Sequence, residues 1–146
     1  MNELSNFDIE QVMIKSGYDN IFNGCFLKDN VPELKTGFYI INLQSSKDGN
    51  GTHWCSLYVI NPVYSIWFDP FGFPAPIEIE QLLKNYNYNK IDIQNINSST
   101  CGYYCIAFIK FMHGKSKPKE ALISFVNLFK QNTKYNDKIL SKIIFS

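Results

Sequence analysis

At 146 residues, with 45% hydrophobic and 16% aromatic side chains, the chain is long enough to bury a core and too apolar for general disorder. One domain is expected over 1–146. A formal net charge of +1 excludes a general electrostatic pull towards nucleic acid, and no apolar run reaches the length of a membrane span. The first residues lack the basic and apolar regions of a signal peptide, so the four cysteines are expected to be free, catalytic or metal-bound rather than disulfide-paired.

Residues 6–16 predict an amphipathic helix capped by Ser5 or Asn6, with Ile9, Val12 and Met13 on one stripe and Gly17 stopping it. Residues 18–36 read as irregular, broken by Gly24 and Pro32. A strand buried on both faces is expected over 38–43, followed by a turn-rich loop over 45–51. A second strand over 52–60 carries His53 at its mouth. Residues 61–64 turn the chain, and 65–69 return as a hairpin partner ending in Asp69 before Pro70. A short helix is expected over 77–83, a polar loop over 85–89, and a strand over 91–94 that delivers Gln94. The apolar run after Cys101 predicts a buried helix, capped by Ser98 or Ser99 and ended by His113-Gly114. A further helix from 116–118 turns Ala121, Leu122, Phe125, Leu128 and Phe129 to the core, and a last one covers 136–145.

Cys101 at a helix start sits where the partial positive charge of the helix end favours a thiolate, the form of cysteine that attacks carbonyl carbon. For a cysteine in isolation, a small buried core residue is the plainer reading. His53 shifts the balance, because hairpin pairing sets Asp69 beside it, and a carboxylate in that place orients an imidazole. The combination suits acyl transfer: Cys101 as nucleophile, His53 as base then acid, Asp69 as its orienter. Gln94 and the Cys101 N–H would donate to the oxyanion. His113, beside Gly114 at a helix end, reads as structural, interacting with the last carbonyls. Cys25, Cys55 and Cys105 read as packing.

His53-Trp54, the block Phe68-Asp69-Pro70-Phe71-Gly72-Phe73, and Gln94 followed by Cys101-Gly102-Tyr103-Tyr104-Cys105 resemble the adenovirus maturation protease (adenain). More broadly they resemble the clan that includes proteases of ubiquitin-like modifiers. The order His, acid, Gln, Cys is that clan's, and Phe22-Asn23-Gly24-Cys25-Phe26 also looks adenain-like. Small size and an Asn/Ile/Lys-rich composition look like the version carried by virophages or Maverick-type elements. The resemblance implies an α+β papain-like cysteine protease fold, with a small antiparallel-rich sheet packed against helices. It also implies cleavage of capsid or other virion precursors near glycine, in the host cytoplasm (the virus factory) and the virion. Trp54, and Gly51 before His53, are expected to bind substrate, Trp54 by roofing a narrow groove.

The acid is Asp69, as in the ubiquitin-like proteases, where adenovirus enzymes usually carry glutamate. No cysteine lies between Cys55 and Cys101, which speaks against a disulfide-tethered peptide activator. Near-neutral charge speaks against a DNA activator or DNA partner. No cofactor and a monomer are expected, and the chain looks shorter at its C-terminal end than the adenovirus enzyme. Two other readings stand beside this one. The substrate could be a ubiquitin-like tail. Alternatively, His53 and Cys55 on one strand face with Cys101 and Cys105 on one helix face could hold a zinc in a non-enzymatic, capsid-associated module.

Overall fold

The computed structural model describes residues 1–45 and 53–145. The expected loop over 45–51 therefore lies almost wholly outside the described residues, and Gly51 lies outside them altogether. Five strands form one sheet in chain order: β1 (Phe22–Leu27), β2 (Gly37–Asn42), β3 (Trp54–Asn61), β4 (Tyr64–Phe68) and β5 (Asn85–Tyr88). The central pairings β2–β3 and β3–β4 are antiparallel, and the two outer ones, β1–β2 and β4–β5, are parallel.

Period-two alternation explains why β2 is buried along its whole length. Phe38 and Ile40 enter one apolar layer with Ile66 and Phe68 of β4. Tyr39 and Ile41 enter the other, with Cys55, Leu57, Val59 and Trp67. The first layer is closed by α1 (Asn6–Lys15), α3 (Cys101–Met112), α4 (Pro118–Val126) and α5 (Asn136–Phe145); the second is closed by the short α2 (Ile77–Glu80). Nine of the twelve residues of α3 are buried, so this helix lies in the middle of the helical layer. Phe108 shows how: it stacks on Phe68 at 4.9 Å and meets Phe38 and Phe125 edge-on.

Ser5 caps α1 through a capping box with Asp8, and Ile9 and Met13 form its buried stripe. Three expectations need correction. Residues 18–36 are not wholly irregular, since β1 lies within them. Gly24, at φ 125, sits at a register shift against β2, and the whole strand is half-buried, so no alternating pattern marks it. The strand expected at 91–94 is irregular chain, and the stretch read as a polar loop supplies β5 instead. Its asparagines are poor strand formers, but Tyr64 donates to Asn87 Oδ1 at 2.7 Å and ties this edge to β4. Finally, α4 stops at Val126, which leaves Leu128 44% exposed while Phe129 stays in the core. Among the described residues no helix is long and apolar enough to cross a membrane.

Candidate active site

His53 immediately precedes β3 and Asp69 immediately follows β4, so the hairpin brings them together at one end of the sheet. Its turn is tight: Val63 N–H donates to Asn61 Oδ1 at 2.9 Å beside a register shift at Val59/Asn61. The result is a 2.8 Å contact between His53 Nε2 and Asp69 Oδ1. With Nε2 engaged by Asp69, Nδ1 is the ring nitrogen left to serve Cys101. Burial pulls the imidazole pKa down, but the hydrogen bonds to Asp69 and Cys101 and their charges outweigh it. The pKa is pushed up to about 9.

Cys101 is the first residue of α3 and is 4% exposed. Its sulfur accepts the Trp54 backbone N–H at 3.4 Å, so β3 and α3 meet at the sulfur. The cap differs from expectation: Thr100, not Ser98 or Ser99, is the N-cap, and its side chain makes no capping bond to α3. Gly102 is closely packed, since a Cβ there would lie 3.2 Å from the Leu4 side chain and 3.5 Å from Trp54.

The block from Phe68 to Phe73 is a compact device in which most members have a physical task. Asp69 Oδ1 accepts the Phe71 N–H at 2.8 Å as well as the imidazole. Pro70 O accepts the N–H groups of both Ile93 (2.8 Å) and Gln94 (3.1 Å), which fastens the Gln94 backbone to the turn after Asp69 without any strand. Phe71 stacks on His53 with ring centroids 4.6 Å apart. Gly72 takes φ 82, and a Cβ there would come within 2.8 Å of the Ile91–Asp92 backbone. Gln94 is 1% exposed; its Nε2 donates to Ser98 O at 2.9 Å, and its Oε1 is buried without a partner among the described residues.

Asn89 escaped sequence reasoning. Buried at the end of β5, it accepts the Asp69 N–H at 3.1 Å and donates to Asp69 O at 2.6 Å, gripping the acid by its backbone. Nothing in a run of asparagines marks that one. Phe71 stood in the recognised block, but its stacking on His53 had no local signal.

Trp54 is 8% exposed, and its indole N–H donates to Leu4 O at 3.0 Å, so it belongs partly to the helix-side core. Its free edge borders a cleft of about 630 Å³ between the N-terminal segment and the ends of β1 and β2, lined also by Asn42 and Phe26. His113 does not reach the last carbonyls of α3 with its ring, which meets Tyr18 edge-on. Burial pushes the thiol pKa values of Cys25, Cys55 and Cys105 up, as suits inert packing cysteines.

A four-ligand zinc set is not assembled. Cys55 lies in the sheet layer opposite to Cys101 and Cys105. Among the described residues, the group close enough to share a metal is His53, Cys55 and Asp69, with ligand atoms within 4.8 Å of one another. In it, Asp69 Oδ1 and His53 Nε2 are already engaged with each other.

No protein-family model matches the sequence, and no curated protein does. Solved structures do. The crystal structure of the ASFV pS273R protease superposes with a TM-score of 0.60 at 15% identity, over 98% of this chain. Its selenomethionine form gives 0.56 at the same identity. The chain spans 66% of the length of that protease, just under two thirds. The central domain of Lpg1148 from Legionella pneumophila gives 0.54 at 14% identity, covering 99% of this chain and 95% of that domain. The fold is that of the ubiquitin-like protease type.

Proposed function

We propose that the chain is a cysteine endopeptidase. The observation that carries this reading is His53, held at 2.8 Å by a buried carboxylate at one end of the sheet, where the next residue, Trp54, gives its backbone N–H to the sulfur of a cysteine that opens a buried helix. The fold shared with a viral protease supports it.

In the reaction, the Cys101 thiol gives its proton to His53, and the sulfur attacks the scissile carbonyl carbon. The oxyanion is met by backbone N–H groups at the start of α3 and by the second N–H of the Gln94 amide, the first being held by Ser98 O. Imidazolium then protonates the departing amine as the C–N bond breaks, leaving an acyl-enzyme. Water, deprotonated by His53, releases the new carboxylate and restores the thiol. Asp69 holds the ring in one tautomer and supports its charge throughout.

The substrates we favour are virion precursor proteins cut near glycine during particle maturation, in the virus factory and the virion. What supports the preference for glycine is the flat ring of Trp54, next to His53 in the chain and close to Gly102, which would narrow a groove over Cys101. Activation by a tethered peptide or by DNA is not part of this proposal, and the enzyme is proposed to act as a monomer. A panel of glycine-containing capsid-precursor peptides and ubiquitin-like fusions, offered in parallel to wild type and Cys101→Ala, tests the reading. Cleavage of the precursors alone by wild type alone is expected. Cleavage of only the ubiquitin-like fusions would move the assignment to modifier processing, and equal turnover by Cys101→Ala would end it.

A further inference from the structure

The far side of the site is stapled by the start of α5. Asn136, fully buried, donates to Ile93 O and Lys130 O, both at 2.9 Å, and so holds the chain just before Gln94. Asp137 receives three hydroxyls, each at 3.0 Å: Ser98 on Oδ2, Thr100 and Tyr104 on Oδ1. Those three donors bracket Cys101 in sequence, two before it and one a helical turn after.

A threonine at an N-cap ordinarily turns its oxygen onto the N–H of the second or third helical residue. Here the Thr100 hydroxyl is donated to Asp137 and also contacts Ser98 Oγ. The Thr100 carbonyl takes the N–H groups of Tyr103 and Tyr104. Among the described residues, the N–H groups of Cys101 and Gly102 meet no acceptor. A helix start with unclaimed N–H groups suits a developing negative charge, and a capping hydroxyl would compete with that charge for them.

We propose that Asp137 is a positioning residue that draws the Thr100 and Ser98 hydroxyls away from the start of α3. In doing so it keeps the Gly102 N–H open for the oxyanion and holds the loop between Gln94 and Cys101 in place. This rests on the acyl-transfer reading above. Asp137 touches no reacting atom; it acts through Thr100 and Ser98.

The test compares wild type, Asp137→Ala, Asp137→Asn and the double variant Asp137→Ala/Thr100→Val on one cleaved precursor peptide. Concentrations are normalised by titrating Cys101 with an alkylating reporter. A matching peptide aldehyde serves as the second readout, because its hemithioacetal oxygen occupies the oxyanion position. Asp137→Ala should lower kcat per titrated site about 10- to 100-fold with KM nearly unchanged, and weaken the aldehyde by a similar factor. Asp137→Asn, which keeps an acceptor, should retain most of both, and Thr100→Val in the Asp137→Ala background should recover part of the loss by removing the freed hydroxyl.

Wild-type kcat and aldehyde affinity per titrated site in Asp137→Ala would overturn the proposal, and so would a double variant no better than the single one. Should Asp137→Ala fail to fold, Asp137→Asn decides. Retention of most of the aldehyde affinity in it supports the proposal, and a loss of about tenfold or more overturns it. A wild type inert to peptide and aldehyde alike would instead sink the peptidase reading itself.

Discussion

The two flanks of Cys101 are built by opposite means. On the His53 side, partners sixteen residues apart are joined by one hairpin, and both the strands and their turn are written locally. On the Gln94 side no strand supports the loop. Its position comes from Pro70 O, from Asn89 beneath Asp69, and from Asn136 and Asp137, 37 to 43 residues away in sequence. The His53–Asp69 pair is thus placed by local structure, and the Gln94 loop by tertiary contacts.

This contrast sets the order of expected effects. His53→Ala removes the proton acceptor on the local flank and should lower kcat/KM by about 10⁴-fold or more, with far-ultraviolet circular dichroism unchanged. Asn89→Ala, which releases the backbone of Asp69, should cost about 1–3 kcal/mol in urea unfolding and roughly tenfold in kcat. A stability loss with kcat per folded molecule intact would show that the acid holds its place without that grip.

The pH dependence of stability addresses the local flank alone. The folded-state pKa of His53 is raised from 6.5 to about 9, so the folded protein binds this proton more tightly than the unfolded chain. That contribution is fully present below about pH 6.5 and lost as pH rises through about 9. The urea midpoint should fall across this window in wild type and fall less in His53→Ala; parallel curves would deny the coupling. The smallest effect is expected from Phe71→Leu. Loss of the stacked ring, worth about 0.5–1 kcal/mol to a cation, should shift the alkaline limb of the rate profile down by less than about one pH unit. An unshifted limb would make Phe71 a spacer only.

The same contrast explains what could be read from the chain. The hairpin, the buried α3 with Cys101 at its start, and α5 follow from alternation, turn residues and apolar spacing, and the structure has all of them. The β1 and β5 strands did not show, because a glycine register shift and a run of asparagines hide the edge strands of a sheet whose centre alone is strongly apolar. The strand expected to deliver Gln94 does not exist; a proline carbonyl holds its backbone instead. Asp137 and Asn89 carry no local signal, since a polar residue that reaches across the fold looks like any surface residue until its partners are known.

The central claim is that His53, held by Asp69, activates Cys101. Its most direct test is the rate at which iodoacetamide alkylates Cys101 between pH 5 and 10, followed by mass spectrometry in wild type and in His53→Ala. Wild type should react at pH 6 at least about tenfold faster than the variant. Superimposable rate profiles for the two proteins would contradict the claim.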